Sequence, residues 1–84
     1  MREPEMKLQN LSTYVIYRPD CKEIFVRDLY DHNNEPAMVT TTKRSIPKAW
    51  EYIKANWTED LELWDIYEIL KSFKIRTHYW CMMD

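Results

Sequence analysis

The sequence predicts a small α+β domain: three strands, two helices and a closing strand, with both helices on one face of a mainly antiparallel sheet. Three observations carry this β-β-β-α-α-β order. Strand-like residues alternate through "TYVIY" and "EIFVRDLY" around a turn containing Pro19 and Asp20. The apolar period then lengthens to that of a helix from Ser45 onward. Bulky side chains return to both faces of "KIRTHYWCMM" near the end. With 84 residues there is room for one core only, so residues 1–84 form a single domain. Residues 1–11 read as a flexible or extended arm.

Thr13–Tyr17 is β-branched and aromatic, as strands prefer. The next run places Ile24, Val26 and Tyr30 on one face and Phe25, Arg27 and Leu29 on the other. Two such runs about a short turn predict a hairpin. After the polar turn "DHNNEP", the third strand spans Ala37–Arg44, and its Thr run suits an exposed or edge position. Ile46, Ala49, Trp50, Ile53 and Trp57 then form one helical stripe, with Ser45 as N-cap and Pro47 in the first turn. In "TEDLELWDIYEILKSF", Thr58 is the expected cap of a second helix, and Leu63, Ile66, Tyr67, Ile69, Leu70 and Phe73 share its inner face. The two stripes point in different directions, which predicts a break near "NWTED" rather than one straight helix. The final strand, Ile75–Met82, is expected to be partly buried on both sides.

Composition excludes several functions. Glycine is absent, so the Gly-rich phosphate cradles and dinucleotide turns of common nucleotide enzymes cannot be built cheaply. No cofactor is expected. Two Cys and two His (Cys21, His32, His78, Cys81) would just suffice for zinc, but a strand would point His78 and Cys81, three apart, to opposite faces, and Cys21 and His32 are eleven apart in separate turns, so no metal is expected. The same residues suggest no nucleophile–base arrangement, and the chain reads as non-catalytic. No apolar run at the start suggests a signal peptide and none is long enough to span a membrane, so a cytoplasmic chain with reduced thiols, rather than a Cys21–Cys81 disulfide, is expected.

What remains is surplus surface. Four Trp, six Tyr and two Phe are a heavy load for a chain that buries only about 60–65% of its unfolded surface. Glu59, Asp60, Glu62, Asp65 and Glu68 precede the first base, Lys71, and Leu61 and Trp64 sit among them, away from the helix's inner face. Apolar anchors ringed by acids have the chemistry of a protein contact, so Leu61, Trp64, Asp65 and Glu68 are the expected binding face for a partner with a basic surface.

Homodimerisation is a further expectation. If Tyr14, Ile16, Ile24 and Val26 face the helices, then Val15, Tyr17, Phe25 and Leu29 lie outside, or the reverse; either way the outer sheet face is apolar, and Trp80 and Met82 belong to the same surface. The alternative partner is RNA or DNA, held by Arg27, Lys43, Arg44 and Lys48, although a net charge of −2 and a pI near 5.7 work against it. Short, rich in aromatics, free of cofactor motifs and bearing an acidic helix, the chain resembles the small phage proteins that block host machinery or defence. That resemblance implies an inhibitor and assigns no residue a role.

Overall fold

The computed structural model describes residues 4–29 and 37–79. Its elements are β1 (Met6–Gln9), β2 (Thr13–Arg18), β3 (Glu23–Asp28), β4 (Met38–Thr40), α1 (Ile46–Ala55), α2 (Leu63–Ser72) and β5 (Thr77–Tyr79). The strands form one antiparallel sheet in the order β1-β2-β3-β4-β5. The α+β architecture and the two separate helices are as the sequence predicts. Residues 30–36 and 80–84 lie outside the described residues, among them Tyr30, His32, Trp80, Cys81 and Met82.

The expected N-terminal arm contains a strand. Met6–Gln9 pairs with β2 in the register Met6↔Tyr17 to Gln9↔Tyr14. "MKLQ" carries no β-branched residue, and Leu8 alone packs against the core; the strand is made by backbone pairing on a sheet edge. The third strand is shorter than expected and is no edge, because β4 lies between β3 and β5. Thr40 is buried there, and its Oγ1 accepts the Ile24 N–H at 3.0 Å, so a threonine suits this interior position.

The hairpin register decides which sheet face is inner. Four residues, Pro19–Lys22, separate the paired Arg18 and Glu23, so odd positions of β2 oppose even positions of β3. Val15↔Val26 and Tyr17↔Ile24 therefore face the helices together. Neither of the two expected face assignments has this pairing, and both are corrected. On the other side one row crosses the sheet as Lys7, Ile16, Phe25, Val39 and His78. Its apolar middle is half-buried, the Arg18 guanidinium lies 4.5 Å from the Phe25 ring centroid, and His78 is exposed rather than covered.

Against the inner face, α1 buries Ile46, Ala49, Trp50 and Ile53, the predicted stripe. Trp50 packs on Tyr17 with ring centroids 5.2 Å apart, and its buried Nε1–H has no acceptor among the described residues. Packing, not polar contact, holds it. Helix α2 buries Ile66 and Leu70, while Leu63, Tyr67, Ile69 and Phe73 are partly covered, as expected.

The first helix is capped where the sequence predicts, without the expected side-chain bond, and the second is capped at another residue. Ser45 is the N-cap of α1, but it stands at φ 70° and makes no capping bond. Thr58 caps a turn instead of a helix, its Oγ1 accepting from Asp60 N–H at 3.3 Å. Helix α2 starts later, where Glu62 N–H donates to Asp65 Oδ2 at 2.9 Å. No helix among the described residues is long and apolar enough to cross a membrane.

Candidate functional site: an acidic groove at the head of the second helix

A groove of about 500 Å³ opens where three segments meet. The β1–β2 turn supplies Leu11, Ser12 and Thr13; the end of β3 supplies Asp28; the loop into α2 and its first turn supply Glu59, Asp60, Glu62, Leu63 and Trp64. Two of its apolar side chains are exposed: Leu11 at 73% and Trp64 at 50%. Folding alone does not ask for either exposure. Trp64 stacks on Tyr67, 5.1 Å between centroids and 29° between planes, which fixes the indole's orientation while leaving much of it open.

Asn10 is the chief tie between the walls. Asn10 is buried, and its Oδ1 accepts from Ser12 N–H at 3.0 Å and Thr13 N–H at 2.8 Å, which shapes the turn that presents Leu11. Its Nδ2 reaches across to donate to Thr58 O at 2.8 Å and Leu61 O at 2.9 Å. Thr13 Oγ1 donates to the same Leu61 carbonyl at 3.3 Å. Below, Leu29 N–H donates to Ser12 O at 2.9 Å, joining β3 to the turn. The groove is thus preorganised by main-chain anchoring, and a ligand need not order its loops.

Of the expected contact residues, the groove takes Trp64 but not the others. Leu61 does not stand away from the core. It precedes the helix and packs partly against the core, because its carbonyl is drawn down by Asn10 and Thr13. Asp65 turns back to cap its own helix. Glu68 is exposed one helical turn beyond Trp64. In their place stand Leu11, Asp28, Glu59, Asp60, Glu62 and Leu63. The sequence did hold one sign of this: Leu11 is an apolar residue in an otherwise polar turn, "QNLS".

The alternative basic set is not gathered into one site. Arg27 is on the outer sheet face opposite Tyr14, and Lys43 pairs with Glu23 at 3.6 Å. Lys48 is exposed in the first turn of α1, and Arg44 lines a different groove. Cys21 is a free, exposed cysteine in the β2–β3 turn, and among the described residues no three His, Cys, Asp or Glu side chains converge on a metal-sized point.

No known family model, characterised protein or solved structure matches this chain. The groove's own chemistry must therefore carry the functional reading. Asp28, Glu59, Asp60 and Glu62 surround two exposed apolar side chains, and among the described residues no cation lines the groove, so its complement is a positively charged segment with an apolar side chain to seat beside the indole.

Proposed function

We propose that this chain is a non-catalytic protein-binding module whose acidic groove takes a Lys- or Arg-bearing segment of another protein. The observation that carries the reading is the placement of exposed Leu11 and Trp64 in one groove with Asp28, Glu59, Asp60 and Glu62. Large apolar anchors give up water on contact and supply affinity, while surrounding carboxylates speed encounter with a basic surface and reject acidic ones. A module that works by covering a surface acts as an inhibitor of whatever that surface does. The phage-like character of the sequence fits that role.

Selection from a displayed random-peptide library tests the reading. Enriched peptides should carry Lys or Arg around one apolar residue, and Trp64→Ala should weaken them at least about tenfold, the loss of one well-buried anchor. Enrichment without charge preference, or binding indifferent to Trp64, would overturn it.

A further inference from the structure

A second groove, also of about 500 Å³, lies at the other end of α2. It is lined by Thr41, Thr42, Arg44, Ser45, Phe73, Lys74 and Arg76. No carboxylate is among these, and none of Arg44, Lys74 and Arg76 has an ion-pair partner among the described residues. Three bases elsewhere are paired, Arg18 with Glu5 at 2.6 Å, Lys43 with Glu23 and Lys54 with Glu51 at 3.0 Å, whereas this groove gathers three that are not. In a chain of net charge −2, three cations left together without acids are an uneven distribution of charge.

The backbone holds these cations where they are. Thr41 N–H donates to Arg76 O at 2.8 Å, and Arg76 N–H donates to Thr42 Oγ1 at 2.8 Å, so the loop after β4 is stitched to the approach to β5. Thr42 spends an acceptor in that bond and keeps its hydroxyl hydrogen to give. Ser45 makes no capping bond, so its hydroxyl is also unspent on the helix. Lys74 occupies the left-handed position that ends α2, at φ 59°. There Lys74 N–H donates to Lys71 O and Ile75 N–H to Leu70 O, a closing motif that glycine fills most cheaply. Lysine at that position puts a charge at the groove where glycine would put none. Phe73 adds a half-buried ring, set edge-on to Tyr52 at 5.8 Å.

We propose that this groove binds the phosphate backbone of a single-stranded nucleic acid, with Arg44, Lys74 and Arg76 on phosphate oxygens and Phe73 offering its ring to a base. Cations and hydroxyl donors without described acids suit phosphodiester oxygens, and a ring on which a base can stack favours an unpaired strand over a duplex, whose bases are already stacked. The site is independent of the acidic groove, so either can fail alone.

The test is a fluorescence-anisotropy titration of the full chain with labelled eight-nucleotide single strands of RNA and DNA, repeated with a duplex and with inorganic phosphate as competitor. The expected result is binding whose log affinity falls against log salt with a slope of about −2, the value for three phosphate contacts on a single strand. The double variant Arg44→Glu/Arg76→Glu should weaken binding more than about tenfold, and Lys7→Glu, exposed on β1 at the far edge of the sheet, less than about twofold. Lys74→Gly separates function from folding: it should raise the thermal midpoint, because glycine accepts the left-handed backbone, and still weaken the oligonucleotide.

Several results would overturn the proposal. They are no binding at low salt, a folded double variant that binds like wild type, and a duplex that binds as well as the single strand. Inorganic phosphate that matches the oligonucleotide per phosphate would make this a small-anion site. Low-salt sedimentation showing self-association that the double variant abolishes would assign the groove to carboxylates of a second copy.

Discussion

The side-chain amide of Asn10 donates to the main-chain carbonyl of Leu61 at 2.9 Å, joining positions 51 residues apart. The same nitrogen reaches Thr58 O, and the amide oxygen holds two N–H groups of its own turn. All four bonds are made by a residue that is only 7% exposed. Asn10→Ala leaves two carbonyls and two N–H groups without that partner, and a buried polar group so orphaned costs about 1–3 kcal/mol. Some are rescued by water at the groove, so the expected loss is about 2–3 kcal/mol in urea unfolding, a large share of a small domain's stability. Asn10→Asp should rescue little, because a carboxylate accepts from the turn but cannot donate to Thr58 and Leu61. Full rescue by aspartate would show that the bridge to the α1–α2 loop contributes nothing.

Two tryptophans should respond in opposite ways. Trp50 is 2% exposed and sits between α1 and the sheet, so Trp50→Ala should cost about 3–5 kcal/mol through the cavity it leaves. Trp64 is half exposed, and its main described contact is the Tyr67 ring, so Trp64→Ala should cost about 1 kcal/mol, the scale of one aromatic pair. Thermal unfolding by circular dichroism measures both. A loss at Trp64 comparable with that at Trp50 would make the indole a structural residue and remove the anchor from the proposed docking groove.

In the β2–β3 turn, Lys22 stands at φ 54° and donates its N–H to Pro19 O at 3.3 Å. The chain has no glycine to place there. Lys22→Gly should therefore stabilise the protein by up to about 1 kcal/mol, the usual relief at a left-handed position, partly offset by greater freedom of the unfolded chain. A lower urea midpoint for the variant would mean that the lysine side chain contributes contacts outweighing its backbone cost.

Periodicity made the helices legible because a stripe such as Ile46, Ala49, Trp50, Ile53 is local information, and burial follows it directly. Alternation likewise gave each strand two faces. It could not say which face of β2 joins which face of β3, because that depends on the number of turn residues. Here four residues set Arg18 against Glu23 and shift the parity. β1 was hidden because an edge strand borrows its order from its neighbour's backbone, leaving little trace in "MKLQ". The acidic groove was half legible: Trp64 stood out among acids, but Leu11 and Asp28 join it only through Asn10 and the sheet register. Such long-range meetings leave no spacing to read.

Thr40 tests how far a single hydroxyl governs the sheet. It is 2% exposed, and its Oγ1 accepts the Ile24 N–H at the point where the β3–β4 ladder, Val26↔Met38 and Phe25↔Val39, runs out. Ile24 is itself fully buried, so that N–H has no water to turn to. Thr40→Val keeps the shape and removes the acceptor, stranding the donor at an expected cost of about 1–3 kcal/mol. Thr40→Ser keeps the acceptor and loses one methyl group, which should cost about 1 kcal/mol. Hydrogen exchange sharpens the comparison, because the Ile24 amide should exchange much faster in the valine variant while Val15 and Val26 keep their protection. If valine proves as stable as threonine and the amide stays protected, the ladder closes without the side chain, and burial alone explains why a threonine in this run points inward.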